Sequence, residues 1–363
     1  MNDDVGNAPR RLRGGFTTGT CAAAAAKAAA IVLCGERDDV REVEVALLDG
    51  TRETLPVESV GRVGEQGVAV VRKDAGDDPD VTHGSPVRAS VQFTAHGDVA
   101  FRAGPGVGIV TKRGLSVPPG EPAINPGPRE MIRRAVREIT SRPIVVTVSI
   151  PGGEVLAEQT FNPRLGIEGG LSILGTTGRV RPFSCRALRC AISCAFSVAR
   201  EAGVTTPVLA PGNIGEKSAR RFLRLDDEQV ISVGNEWETA FACLRDLPAT
   251  GVLLWGHPGK LAKLALGIWD THSARSPSAV EALRRLFPEC RFEDVPTAEA
   301  FFAGWDSTRR RAYAQRTAQA IAERVAGVLP SSLKIAVGLI DLRGDVLGCY
   351  GAMSLWPTIR TFE

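Results

Sequence analysis

In the first half of the chain, the order of apolar and polar positions predicts a mixture of helices and antiparallel strands. Residues 17–34 predict a capped helix because threonines precede a run of alanines, the strongest helix formers. A second helix is predicted at 128–139, and apolar runs on either side of Pro151–Gly153 predict a hairpin over 144–161. Further short strands are predicted at 43–48, 68–71, 87–94 and 99–102. Together these elements predict an α+β layer domain spanning residues 1–180.

The second half alternates helices with short apolar strands, which is the pattern of a parallel sheet. Strands are predicted at 208–210, 229–233 and 251–255, and helices at 184–201, 216–225, 236–244, 260–267 and 307–328. Apolar runs at 334–340 and 346–351 predict a terminal hairpin. Residues 181–363 are therefore predicted to form an α/β doubly wound, Rossmann-like domain.

Length and charge support two domains and exclude one class of function. The 363 residues exceed the roughly 250–300 at which a single core stops growing. Lys and Arg number 44 against 41 Asp and Glu, a net charge of only +3, so we expect no nucleic-acid partner. The cluster Arg309–Arg311 is interpreted as a solvated helix face.

The eight cysteines are scattered and form no CxxC pair, so we expect reduced thiols, a cytoplasmic protein and no protein-bound metal. Cys190 and Cys194 stand at i, i+4 and are interpreted as packing thiols rather than metal ligands. Arg10–Arg11 before the alanines imitates an export signal, but Lys27 interrupts the run. No uncharged apolar stretch approaches the roughly 20 residues of a membrane span, so no membrane partner is expected.

Two loops of the first half carry the residue types of a binding or catalytic site. Around Thr17, Thr18 and Thr20, hydroxyls and a helix N-terminus suit a carboxylate or phosphate, although a well-capped core helix explains them equally. Between Lys73 and Gly84, four aspartates and a histidine could bind a cation, hold ribose hydroxyls or supply a base. We predict catalytic roles for Asp74, Asp77 and His83; a solvated acidic turn is the alternative.

Further candidates follow in two glycine- and proline-rich segments. Lys112 and Arg113 lie in a glycine-rich stretch and could bind an anion with several carboxylates, and the prolines at 121–129 could fix Asn125, although a rigid connector is the alternative there. A loop at the expected domain boundary, where clefts tend to form, adds four candidate binding residues, with an ordered linker as the alternative: Arg164, Glu168, Thr176 and Thr177.

The second half offers loops that follow apolar strands, where doubly wound folds place ligands. Asn213 lies in the first such loop and His257 and Lys260 in the second, while His272 lies farther along in Asp-Thr-His-Ser. We predict binding roles for these four residues, although a structural histidine is the alternative for each imidazole. Neither loop matches GxGxxG, so an ordinary dinucleotide site is not predicted.

The ordered set of these motifs resembles the CbiD family, the cobalt-precorrin-5B C1-methyltransferases of anaerobic cobalamin biosynthesis. The motifs that carry the resemblance span nearly the whole chain: Thr17–Cys21, Lys73–Gly84, Gly106–Lys112, Glu121–Pro126, Phe161–Gly178, Gly256–Leu261 and Thr271–Ser273. The chain departs from the family pattern at Cys185–Cys194, Asn235–Glu238 and Asp270.

The resemblance implies transfer of a methyl group from S-adenosylmethionine to ring carbon C1 of cobalt-precorrin-5B, giving cobalt-precorrin-6A. It implies cobalt only as part of the corrinoid substrate, and it allows a homodimer. Two alternatives come from other classes: a non-catalytic tetrapyrrole carrier, and a phosphate- or nucleotide-dependent transferase using the same glycine loops.

Overall fold

The computed structural model describes residues 12–182, 184–292 and 295–359. The chain is a mixed α/β protein with several sheets, as predicted, and it divides into two compact units with the boundary between Ser184 and Cys185. The pair Arg10–Arg11, which imitates an export signal, lies outside the described residues. None of the described helices is both long and apolar enough to cross a membrane.

The first unit contains three α-helices and thirteen strands among its described residues. The helices are α1 Thr18–Leu33, α2 Pro126–Arg137 and α3 Gly153–Ala157. The strands are β1 Gly15–Phe16, β2 Glu42–Ala46, β3 Arg52–Pro56, β4 Ser59–Val63, β5 Gln66–Arg72, β6 Pro86–Phe93, β7 Val99–Ala103, β8 Gly106–Val107, β9 Ile109–Val110, β10 Ile144–Ser149, β11 Ile167–Glu168, β12 Gly170–Leu171 and β13 Arg179–Val180.

Helix α1 is the centre of the first unit, and every residue in it except Lys27 is buried. Thr17 caps the helix, with its Oγ1 accepting a hydrogen bond from the Thr20 N–H at 3.2 Å. Because alanine side chains are short, α1 lies almost directly on β5: a Cβ added at Gly67 would stand 2.0 Å from the Ala29 carbonyl oxygen. Small residues on both elements therefore set the spacing between helix and sheet.

The sheet beneath α1 has the order β4-β5-β6-β10-β7 and is antiparallel except for the β10–β7 pair. Strands β2 and β3 form a separate antiparallel pair, which packs with α1 and α2. The predicted hairpin over 144–161 is wrong, because only 144–149 is extended. Gly152 adopts a φ of +80°, the chain turns there, and residues 153–157 form α3.

The second unit contains seven α-helices and five strands among its described residues. The helices are α4 Arg186–Glu201, α5 Asn213–Phe222, α6 Trp237–Arg245, α7 Pro258–Leu261, α8 Ala279–Leu286, α9 Ala298–Ala303 and α10 Ser307–Ala326. The strands are β14 Val208–Ala210, β15 Val230–Ser232, β16 Gly251–Gly256, β17 Lys334–Ile340 and β18 Val346–Gly351.

The five strands of the second unit make one sheet in the order β15-β14-β16-β17-β18. The first four strands are parallel, and β18 runs antiparallel to β17, so the predicted terminal hairpin is present. The chain leaves β14 toward β15 on one side and later places β16 on its other side. The carboxyl ends of β14 and β16 are thus neighbours at the point where the strand order reverses.

Candidate functional site

Two of the predicted loops of the first unit pack against each other. The Phe16 N–H donates to the carbonyl of Asp74 at 2.7 Å, and the Asp77 N–H donates to the carbonyl of Arg13 at 2.9 Å. Gly15 makes this approach possible, because a Cβ there would lie 2.1 Å from the backbone of the Asp-rich loop. The glycine-threonine segment and the Asp-rich loop therefore form one continuous surface.

Asp74 is held by an arginine that the sequence analysis did not single out. Arg13 Nη2 donates to Oδ1 at 2.8 Å, Nη1 donates to Oδ2, and the Gly76 N–H adds a third bond at 2.9 Å. The Arg13 hydrogen bonds lower the pKa of Asp74 to about 2. A carboxylate with so low a pKa is a weak base, so this environment favours an orienting role for Asp74.

Asp77 and His83 are exposed on the same loop. One oxygen of Asp77 accepts the Arg13 backbone N–H at 2.7 Å. His83 Nδ1 accepts the Ala75 N–H at 3.1 Å, which assigns the proton of the neutral ring to Nε2. In that tautomer His83 offers a hydrogen-bond donor to a ligand, while Asp77 offers an acceptor.

The loop is anchored underneath by a buried ion pair between Lys73 and Asp80. Lys73 Nζ lies 2.6 Å from Asp80 Oδ2, and the lysine side chain is only 1% exposed. The other oxygen of Asp80 accepts the N–H of Thr82 at 2.8 Å and its hydroxyl at 2.5 Å. Burial opposes ionisation of Asp80, but the Lys73 charge and these hydrogen bonds outweigh it and lower the pKa. Asp80 is thus structural.

The threonines predicted to bind a ligand serve the interior of the unit instead. Thr20 is fully buried and its Oγ1 donates to the Gly178 carbonyl at 2.7 Å. Thr18 is also buried, and its Oγ1 accepts the Leu174 N–H at 2.9 Å. Thr17 is half-buried and caps α1. The hydroxyls of Thr18 and Thr20 thus join the start of α1 to residues 174–178, while the binding roles of the three threonines stay predictions.

The other two segments of the first unit are also brought together. Strand β8 pairs with β12 and strand β9 with β11. The hydroxyl of Thr111 donates to the Gly166 carbonyl at 3.0 Å and lies 3.3 Å from Glu168 Oε1. The stem of Lys112 lies over Gly166, where a Cβ would meet it at 2.3 Å. Arg164 stands above the Phe161 ring, 5.9 Å from its centre.

Asn125 lies at the start of α2 beside the Leu174–Gly178 segment. Its N–H donates to the carbonyl of Ile173 at 3.1 Å, and its side chain makes no capping bond. In that segment Thr176 is exposed, whereas the Thr177 hydroxyl accepts the Arg179 N–H at 3.3 Å. Thr176 is thus exposed and Asn125 half-exposed, and their predicted binding roles stay predictions.

A cavity of about 430 Å³ opens beside the start of α2 in the first unit. It is lined by Ser116, Val117, Pro118, Pro126, Arg129, Glu130 and Arg133. Arg129 donates hydrogen bonds to the carbonyls of Ile124 and Pro122. The guanidinium groups of Arg129 and Arg133 both lie over the ring of Phe101. None of the predicted binding residues lines this cavity.

In the second unit, three predicted residues follow the carboxyl ends of β14 and β16, where the strand order reverses: Asn213, His257 and Lys260. Lys260 Nζ donates to the Pro211 carbonyl at 2.9 Å, which links the loop after β16 to the loop after β14. Asn213 is exposed at the start of α5. His257 Nδ1 accepts the Gly259 N–H at 3.0 Å, and its Nε2 lies 2.8 Å from Glu299 Oε2, so both ring nitrogens are used internally.

His272 lies on a separate, well-braced segment of the second unit. Its N–H donates to Asp270 Oδ1 at 3.0 Å, and its Nδ1 accepts the Ala274 N–H at 3.2 Å. Arg275 Nε lies 2.6 Å from Asp270 Oδ2, and these bonds lower the pKa of Asp270. The Nδ1 atom of His272 is thus used within residues 270–274, and Nε2 lies on the opposite edge of the ring.

Comparison with known proteins decides the family. The model of the CbiD family matches residues 5–182. The cobalt-precorrin-5B C(1)-methyltransferase of Syntrophotalea carbinolica is 51% identical over 95% of this chain and 99% of the relative. The enzyme of the same name from Moorella thermoacetica is 40% identical over 93% of this chain and 95% of the relative. The chain belongs to the CbiD family.

Membership of the CbiD family confirms the resemblance and makes the chain a methyltransferase of corrinoid biosynthesis. A solved structure described as a cobalamin biosynthesis protein (cbiD) from Archaeoglobus fulgidus is 29% identical, covering 73% of this chain and 83% of that one, with a TM-score of 0.40.

Within this CbiD chain, sequence reasoning missed Arg13 and Glu299, which orient Asp74 and His257 respectively. Arg13 had one available signal, because it precedes Gly14 and Gly15 and glycine pairs permit close backbone approach. Glu299 had none, since it lies 42 residues from its partner on a helix that the pattern did not predict.

Proposed function

We propose that this chain transfers a methyl group from S-adenosylmethionine to carbon C1 of cobalt-precorrin-5B, giving cobalt-precorrin-6A. The observation that carries the proposal is the 51% identity to a cobalt-precorrin-5B C(1)-methyltransferase over 99% of that relative. Cobalt enters and leaves with the corrinoid and is part of the substrate. Among the described residues there is no group of three or more ligands that could hold a separate metal ion.

Methyl transfer from a sulfonium is an in-line displacement. The macrocycle carbon forms a bond to the methyl group while the carbon–sulfur bond breaks, and the electron pair stays on sulfur. The donor supplies an already activated methyl group, so the chain contributes mainly alignment in a water-poor site, worth up to about 7–11 kcal/mol in favourable cases. A base is required only where a proton leaves the ring.

Residues of the first unit fit these tasks. Asp77 is an exposed acceptor suited to hydroxyl or ammonium groups of the donor, and His83 presents an N–H donor. Asp74, clamped by Arg13, positions this loop. The peripheral acetate and propionate arms of the macrocycle call for cations, and Lys112 and Arg164 lie on the paired segments around Gly166.

Other parts of the proposal extend beyond the residues of the site. The order of the four parallel strands supports a doubly wound, Rossmann-like class for the second unit. The absence of a CxxC pair in the sequence supports a cytoplasmic setting with reduced thiols. The near-balanced charge supports a corrinoid rather than a nucleic-acid partner. A homodimer is compatible with these features.

The test is anaerobic incubation of the purified protein with cobalt-precorrin-5B and methyl-labelled S-adenosylmethionine, followed by mass spectrometry of the corrinoid. Gain of one labelled methyl group, located at C1 by NMR, supports the proposal. Corrinoid that is retained by the protein but unmodified supports the carrier alternative. Protection of the thermal midpoint by nucleotides, without methyl transfer, supports the nucleotide-dependent alternative.

Variants then test the loop residues. Asp77→Ala and His83→Ala are each expected to lower kcat/KM by about 10-fold or more, because each removes an alignment contact. Asp38→Ala and His96→Ala are matched controls, since both residues are exposed in the first unit outside the Asp-rich loop. Wild-type turnover in the Asp74, Asp77 and His83 alanine variants would remove this loop from the mechanism.

A further inference from the structure

The loops at the reversal point of the second unit's sheet are pressed tightly together. A Cβ added at Gly256 would lie 2.7 Å from the Pro211 side chain, and one added at Gly215 would lie 2.8 Å from the Trp255 carbonyl oxygen. Gly212, in contrast, has open space where a Cβ would be. The edge thus combines a rigid base with room above the loop after β14, and ligands of doubly wound folds bind at such reversal points.

Lys260 brings a positive charge to this edge without an acidic partner. Its Nζ bonds to the Pro211 carbonyl, and no carboxylate among the described residues lies within ion-pair distance of it. Burial lowers the pKa of Lys260, and the neighbouring charge of Lys263 lowers it further. An ammonium group removed from water and held only by a neutral oxygen is poorly compensated.

Lys263, three residues after Lys260, adds a second buried positive charge without a bonded carboxylate among the described residues. It is only 3% exposed, and its Nζ bonds to the Thr271 carbonyl at 3.1 Å and to the Ser276 hydroxyl at 2.9 Å, both neutral oxygens. The other two lysines of the second unit, Lys217 and Lys334, are exposed to solvent. Lys260 and Lys263, which lie beside this edge, are therefore the two lysines of the second unit that are shielded from solvent.

Three acids near this edge are already engaged by other groups. Asp270 is bound by Arg275 and by the His272 N–H. Glu299 faces His257 Nε2 at 2.8 Å, and Glu236 is paired with Arg189 at 2.7 Å. Of these carboxylates, Asp270 attracts the Lys263 charge at a distance, but none neutralises Lys260. These three acids therefore leave the Lys260 ammonium group available to an anionic group of a ligand.

We propose that Lys260, at the edge formed by the loops after β14 and β16, binds a carboxylate group of a ligand, with Lys263 as a buried supporting charge. The proposal rests on the proposed function, because both reactants of that reaction carry carboxylates. S-adenosylmethionine has one on its amino-acid portion, and the corrinoid has several on its arms. An ion pair with a half-buried lysine fixes the register of either molecule.

The test compares Lys260→Gln and Lys260→Arg with the control Lys217→Gln. Binding of S-adenosylhomocysteine and of cobalt-precorrin-5B is measured by calorimetry, and KM is measured for each reactant. We expect Lys260→Gln to weaken one of the two by about 10- to 100-fold, with a smaller change in kcat, while Lys260→Arg and Lys217→Gln keep affinities close to wild type. The reactant affected identifies the source of the carboxylate.

A ligand without the carboxylate separates this contact from a general loss of structure. If the donor is the source, wild-type protein prefers S-adenosylhomocysteine to 5′-methylthioadenosine, and Lys260→Gln loses that preference. If Lys260→Gln unfolds at lower temperature, Lys260→Met, which keeps the length of the stem, is measured in its place. Affinities for both reactants within twofold of wild type in these variants would overturn the proposal.

The two proposals fail differently. A wild-type protein that binds the ligands through Lys260 but transfers no methyl group refutes the proposed function and leaves the carboxylate contact standing. A protein that methylates the corrinoid and is indifferent to the charge at position 260 refutes the contact alone.

Discussion

Arg13 and Asp74 are 61 residues apart in sequence, and the Nη2 of the arginine donates to Oδ1 of the carboxylate at 2.8 Å. This pair ties the segment before α1 to the Asp-rich loop. The Arg13 hydrogen bonds also lower the pKa of Asp74 to about 2, so this carboxylate stays ionised even in mildly acidic solution. The loop that carries Asp77 and His83 therefore has a fixed charge at its start.

Replacing Arg13 tests whether this pair orients the loop. Arg13→Ala is expected to lower kcat/KM by about 10-fold or more, because Asp74 loses its partner and the loop loses alignment. The pKa of Asp74, followed by NMR titration, should rise toward the usual value of about 3.9. Arg41→Ala removes another exposed arginine of the first unit, one that pairs with Asp39 two residues away, and serves as the control. Unchanged kinetics in Arg13→Ala would show that the clamp has no catalytic consequence.

Breaking the Lys73–Asp80 pair is expected to destabilise the first unit. Lys73→Met leaves the Asp80 carboxylate without its partner, and Asp80→Asn leaves a buried ammonium; each should cost about 3 kcal/mol or more in urea unfolding. The double variant should recover part of that loss, because the isolated charge is gone. Two single variants of wild-type stability would mean that the ion pair is solvated in solution.

The same pair gives stability a definite pH dependence. The folded-state pKa of Asp80 is lowered, so its contribution is fully present above the unfolded-state pKa of about 3.9 and is lost as pH falls through the folded value. The free energy of unfolding of wild type should therefore decline below about pH 4 more steeply than that of Lys73→Met. Parallel pH curves for the two proteins would contradict this assignment.

Two glycines of one sheet provide a matched pair for the packing of α1. Gly67→Ala is expected to destabilise the protein by about 1–3 kcal/mol or more, since the new Cβ would stand 2.0 Å from the Ala29 carbonyl. Gly61→Ala, in the neighbouring strand β4, meets nothing within 4 Å and should be neutral or slightly stabilising. Thermal unfolding of both variants measures the difference, and equal midpoints would refute the close approach of α1 to β5.

Exposed cysteines should react with thiol reagents faster than buried cysteines. Burial raises the pKa of Cys21 and of Cys349 to about 12 in each case, so neither forms thiolate at neutral pH. Cys34 and Cys190 are exposed. Iodoacetamide at pH 7.5 should label these two first, and guanidinium should make the buried thiols reactive. Early modification of Cys21 in native protein would contradict its place inside the first unit.

Where local pattern and packing agree, the sequence was a reliable guide. The strands 208–210, 334–340 and 346–351 are found at the predicted bounds, because short apolar runs flanked by turn residues have few alternatives. Strands 52–56 and 59–63 were missed, since they are largely polar and lie at the sheet edge or in a two-stranded pair. Helices 279–286 and 298–303 were missed because they are only eight and six residues long, which is too short for their apolar spacing to be distinctive.

The sequence indicated candidate residues for the site but not how they are arranged. Loop composition indicated Asp74, His83 and Lys112, whereas their neighbours depend on pairings between two-residue strands such as β8 with β12. Such pairings are set by tertiary contacts and leave no periodic signal. For the same reason Thr18 and Thr20 could not be recognised as internal until the carbonyls they bind were placed.

The alanine helix α1 also bears on how the protein is made. Its covering elements, β5, β6 and α2, extend to Arg137, so a ribosome adding about 5–20 residues per second leaves the completed helix uncovered for roughly 5–20 s. During that interval a leucine-rich helix would expose a large apolar surface that could aggregate with other nascent chains. An alanine-rich helix forms locally and early, yet it exposes little apolar area. It can therefore remain uncovered until β5, β6 and α2 are made, with little need of a chaperone.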